Sequence, residues 1–185
     1  MKKIILILAA VVMSAGIMAA QDMSAATEAA KSANEALVNK DYAKALTGFK
    51  DALTQALACG EEGEELVGTC KGVIPTIILN IAKGAIKDAN YDEGIAKLAE
   101  AMDAASEYGA DDVIAEASTL VGQAKKAKAN ALTKAKDYAA AAEAWKAVLA
   151  DNPEDGTSTL QLGAALNQLG DKEGTIAAFE KALEL

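Results

Sequence analysis

A capped helix with one apolar spacing recurs four times along this chain. The copies read Asp41-Tyr42, Ala45, Phe49, Ala52; then Asn90-Tyr91, Gly94, Leu98, Ala101; then Asp137-Tyr138, Ala141, Trp145, Val148; and last Asp171-Lys172, Thr175, Phe179, Ala182. The last two copies lie 34 residues apart. Asp or Asn ahead of each helix supplies a side-chain acceptor for the orphan N–H groups of the first turn. Spacings of three and four put the apolar positions on one stripe. Such a unit cannot bury its stripe alone, so the recurrence predicts stacked helical hairpins, each covering the next.

The aromatic residues test the phase. Six of the seven (Tyr42, Phe49, Tyr91, Tyr138, Trp145, Phe179) fall at two equivalent places of the unit, and only Tyr108 does not. The chain holds two prolines and much alanine, the best helix former, and no alternating β-branched stretch persists. The expected class is all-α. The first hairpin runs from about Ser24 to Cys59, with a brief linker near Asp22. The second opens with an extended helix, about Glu62 to Asp88, which Gly72 and Pro75 are expected to kink or interrupt. Its return helix is capped by Asn90 with Glu93 three residues on, a capping-box arrangement. The third hairpin repeats the extension from Asp111 to about Lys136. The fourth spans Thr157 to Leu185, with Gly170 suited to a left-handed helix stop.

Residues 1–20 have the pattern of a signal peptide. Lys2-Lys3 forms the positive start, Ile4 to Met13 the apolar run, and Ala19-Ala20 the small-residue end. The run is short for a membrane span, and the alternative is an uncleaved anchor. Cleavage after Ala20 leaves residues 21–185 as one domain and places it beyond a membrane without further insertion. The chain carries a formal charge of −9, and loss of Lys2 and Lys3 takes it to −11. That acidity argues against nucleic acid as a partner. All 18 basic residues are lysine, and there is no histidine. The commonest general base and the bidentate phosphate grip are therefore missing, and no enzyme, cofactor, metal or small-molecule substrate is expected. The cluster Lys125, Lys126, Lys128 reads as a solvated face.

The repeat resembles the tetratricopeptide family over most of the chain after residue 21. The fourth copy carries the resemblance most fully, in Thr159, Leu162-Gly163, Leu166, Gly170-Asp171, Thr175, Phe179 and Ala182. The third adds Ala141, Trp145 and Pro153. The resemblance implies an α-α superhelix of four hairpins, a solenoid, with the first helices of repeats two and three extended. It also implies a non-catalytic module that binds a peptide or protein in a concave groove. The implied groove residues are Asn34, Leu37, Thr76, Leu79, Lys83, Ile86, Gln123, Lys126, Asn130 and Asn167. An ordinary solvated helix surface is the alternative for these side chains. The family's clamp for a terminal carboxylate is not implied, because Ala30, Gln123 and Ala127 stand where it needs lysine and arginine.

Cys59 and Cys70, past a signal segment, are expected to pair as one disulfide fastening repeat one to repeat two. The expected setting is the periplasm of a bacterium with two membranes. Phe179, Ala182 and Leu183 lie near the last residue, so the final hairpin is expected to leave an apolar face open. That face suggests a homodimer or a structural homo-oligomer assembled through the C-terminal hairpin.

Overall fold

A computed structural model describes the backbone from residue 19 to 185 and the side chains from residue 23 onward. Apart from the backbone of Ala19 and Ala20, the signal-peptide segment lies outside the described residues. Among the described residues eight α-helices follow in order: α1 Ala19–Val38, α2 Tyr42–Ala58, α3 Glu64–Lys87, α4 Tyr91–Tyr108, α5 Asp111–Lys134, α6 Tyr138–Asp151, α7 Gly156–Leu169 and α8 Lys172–Glu184. A 3₁₀ turn, Gly60–Gly63, precedes α3, and the described residues contain no strand. The class is all-α, with consecutive helical hairpins, and α3 and α5 are the long members at 24 residues each.

The four hairpin turns share one hydrogen-bond pattern. Asp41 N donates to Ala36 O, Asn90 N to Ala85 O, Asp137 N to Leu132 O and Asp171 N to Leu166 O, at 2.8–3.1 Å. The residue before each cap is left-handed: Lys40, Ala89, Lys136 and Gly170 have φ of 60°, 62°, 63° and 78°. This is the Schellman stop, which satisfies helix-end carbonyls and reverses the chain in two residues. In three of the four the cap follows at once, whereas the Asn90 side chain makes no such bond and the expected capping box with Glu93 is not formed. Asp41 accepts from Lys44 N at 3.1 Å, Asp137 from Ala140 N at 3.1 Å and Asp171 from Gly174 N at 2.9 Å. Repetition in the sequence is therefore repetition of a stop-and-restart signal.

The chain divides into two compact units, each drawn from several helices. The first holds the described part of Met1–Gly84 with Lys97–Ala117. Here α1 lays Ala26, Ala30, Ala33 and Ala36 against Ala45, Phe49, Ala52 and Ala56 of α2, all buried. The two helices come close at Gly48, where a Cβ would lie 2.8 Å from the Ala33 Cβ. Gly63 is closer still to its neighbour, since a side chain there would run into the Ala56 carbonyl. Leu66, Val73, Ile74, Ile77, Ile78 and Leu79 of α3, with Leu98 of α4, supply the bulk.

α3 is not interrupted. It passes through Pro75, whose ring is fully buried. The ring forfeits one backbone bond, and burial among isoleucines offsets part of that loss. The segment Gly60–Lys87 is long and apolar enough to cross a membrane by length and composition, yet half of that window is buried inside the protein. It serves as the core helix of its unit.

The second unit holds Ala85–Ala96 with Ser118–Leu185. Its core gathers Ala129, Ala141, Ala142, Trp145, Val148, Ala165, Leu166 and Ala178. Trp145 donates its indole N–H to Thr133 Oγ1 at 3.3 Å, and that hydroxyl donates to Ala129 O at 2.9 Å. At Gly163 a Cβ would meet the Phe179 ring at 2.6 Å, so glycine there is what lets α8 seat its aromatic residue.

Candidate protein-interaction surface

The ten groove residues fall in different settings. Leu79 is 2% exposed and belongs to the core of the first unit, which corrects its assignment to a binding surface. The reason is geometric. In mid-helix α3 is buried at 73–75 and again at 77–79, nearly around its circumference, so only one polar edge is left. That edge carries Thr76, Asn80 and Lys83, all half-buried, and sequence reasoning passed over Asn80. Asn80 Nδ2 donates to Thr76 O at 2.9 Å, and Lys83 Nζ pairs with Glu116 at 2.6 Å. Asn34 and Leu37 are half-buried, and the Asn34 Oδ1 is enclosed without a hydrogen-bond partner. An enclosed amide acceptor with nothing to accept is costly, and a ligand N–H is one group that would relieve it.

In the second unit Ile86 is half-buried, while Gln123, Asn130 and Asn167 are exposed. Gln123 and Lys126 come together beside a cleft of about 250 Å³, with Lys125, Val148, Asp151 and Asn152 among its other walls. The amide side chains of Gln123, Asn130 and Asn167 make no bond within the described chain. Each offers both a donor and an acceptor, the combination a peptide backbone requires.

The lysine cluster on α5 is a set of clasps. Lys125 Nζ reaches Asp151 at 2.5 Å, Lys126 reaches Asp155 at 2.6 Å and Lys128 reaches Asp92 at 2.5 Å. Sequence reasoning missed Asp155. Its Oδ1 accepts from Ser158 N at 3.1 Å and its Oδ2 from Ser158 Oγ at 2.7 Å, so it caps α7 while it holds Lys126. The Lys126 bond, followed by those from Ser158, lowers its carboxyl from 3.8 to about 2. The signal was present as Asp155-Gly156-Thr157-Ser158, a capping residue with a hydroxyl three places on.

Cys59 and Cys70 are thiols, not the expected disulfide. Cys59 closes α2 and donates through Sγ to Gln55 O at 3.2 Å. Cys70 is wholly buried on α3, and desolvation pushes its thiol up to about 11. That environment makes it a packing residue, inert as a nucleophile. Among the described residues no group of three or more His, Cys, Asp or Glu is placed to hold a metal ion.

No family model and no curated protein matches the chain. Among solved structures 15 chains match. One of them, described as "MamA AMB-1 P212121", is 16% identical, with a TM-score of 0.36. The match covers 86% of this chain and 91% of that one.

Proposed function

We propose that this chain is a non-catalytic protein-interaction module of the tetratricopeptide type, taking an extended peptide or a partner's helix along the faces of its first helices. Residues 1–20 direct it across the inner membrane of a bacterium and are removed, so that it works in the periplasm as part of an envelope complex. The observation that carries this reading is the set of exposed, unbonded amides, Gln123 and Asn130 on α5 and Asn167 on α7. They stand on hairpins rigidly closed by Schellman turns and Asp caps. Rigid elements carrying free donor–acceptor pairs bind backbone at low ordering cost.

The ion-paired lysines narrow the surface. Lys83 and Lys126 are engaged by Glu116 and Asp155, so the partner meets amides more than free positive charge. The test is affinity capture from envelope extracts with the native chain and an Asn130→Ala/Asn167→Ala variant. The partner should be lost from the variant while helix content holds. Undiminished capture discards the amide face. Intact mass of the envelope-purified protein should begin at Gln21, and a mass including Met1 rejects signal removal.

A further inference from the structure

Phe49, Leu98, Trp145 and Phe179 occupy one equivalent place in the four return helices. The first three are 0%, 0% and 3% exposed, whereas Phe179 is 38% exposed. Around it Ile176 is 58% and Leu183 is 87% exposed. One unit earlier their counterparts are Ala142, buried, and Leu149, half-buried. On α6 that face shares a cluster with Ala165 and Leu166 from α7, the first helix of the following hairpin. The repeat thus contains its own control: the same stripe is covered on α6 and bare on α8.

The bare stripe has a period. Lys172, Ile176, Phe179 and Leu183 follow at intervals of four, three and four, the spacing of a coiled-coil seam. Lys172 stands at its N-terminal end and Glu184 beside its C-terminal end, and neither is in an ion pair within the described chain. We propose that the stripe pairs with the same stripe of a second copy of this chain, the two α8 helices running antiparallel about a twofold axis near Phe179 and Glu180. Antiparallel pairing lays Ile176 against Leu183 and leaves each Lys172 about 4.5 Å along the helix axis from the level of the other copy's Glu184, within reach of its long side chain, twice by symmetry. Parallel pairing sets like charge against like. The outer face of α1 offers no substitute, because Glu28, Lys31, Ser32 and Glu35 are exposed there and cannot cover an apolar seam. Three such side chains withdraw on the order of 300 Å² per copy. A stable complex uses about 800 Å² per partner. The pairing is therefore weak and reversible.

Sedimentation equilibrium of the full chain from about 1 to 200 µM reads this directly. Monomer and dimer in reversible exchange are expected. Phe179→Glu should weaken association at least about tenfold, with the helical circular dichroism unchanged. Lys172→Glu and Glu184→Lys should each weaken it several-fold, and the two together in one chain should restore it. Both charge changes suit the helix dipole, so a folding defect does not imitate the loss. A chain monomeric throughout the range overturns the proposal, as does association that survives Phe179→Glu. Failure of the double reversal to restore pairing overturns the antiparallel arrangement.

Discussion

The largest fully buried side chains of the first unit are Phe49, Ile74, Ile77, Ile78, Leu79 and Leu98, whereas the second unit gathers alanines around Trp145. Its buried set also admits Ser158, Thr159 and Thr175, polar residues that bond back to their own helices through Asp155 or Asp171. An alanine methyl withdraws little surface from water, about 0.8 kcal/mol per buried carbon at most. A core of methyls therefore depends on close helix approach, on its one large ring and on the quality of its helix ends. The isoleucine-rich unit draws its stability from transfer of bulk out of water. Two ways of making a dry interior coexist within one repeating plan.

Substitutions can break or sharpen that contrast. The largest effect is expected from Trp145→Ala, about 4–5 kcal/mol in urea unfolding, because the largest side chain of its cluster is removed and Thr133 loses its indole donor. Ile77→Ala, with isoleucine neighbours on both sides, should cost about 3 kcal/mol. Equal losses at the two sites would erase the distinction. Next come the close approaches: Gly163→Ala drives a methyl at the Phe179 ring and should cost about 2 kcal/mol. Gly63→Ala, which meets backbone at Ala56, should cost at least as much.

Asp155→Ala should remove about 1 kcal/mol near pH 7 by loss of the α7 cap. Its folded carboxyl titrates at about 2, below the ordinary 3.8, so its contribution is complete above pH 3.8 and fades as pH falls toward 2. The wild type and Asp155→Ala should thus converge in acid, and a constant gap from pH 7 to 2.5 contradicts the linkage. The smallest change is a gain. Lys136→Gly relieves a left-handed backbone at φ 63° and should stabilise by about 0.5–1 kcal/mol, read as a shift of the urea midpoint.

The hairpins were legible because their stop-and-restart chemistry is local: an Asp or Asn cap and an apolar stripe identify themselves within a dozen residues. Helix bounds accordingly fell within a few residues of expectation. Lys40, Ala89 and Lys136 were not legible as left-handed residues, since neither lysine nor alanine prefers positive φ. Only their alignment with Gly170 marks them. The binding face was read less well. Assigning Leu79 to a groove presumed that α3 is buried on one side, and burial on several sides depends on neighbours distant in sequence. The clasps from Lys125, Lys126 and Lys128 are equally nonlocal, joining residues 26 to 36 positions apart, and composition alone made them a solvated face. The open stripe on α8 was anticipated from Phe179, Ala182 and Leu183, although Ile176, its most informative neighbour, was overlooked.

The Schellman turns have a kinetic corollary. Each hairpin is closed by bonds between atoms no more than five residues apart, so joining its helices requires almost no search through chain space. Chains dominated by such short-range contacts reach their native form in microseconds to milliseconds. Mutations at Lys40, Ala89 or Lys136 should accordingly alter the rate of folding more than the rate of its reversal.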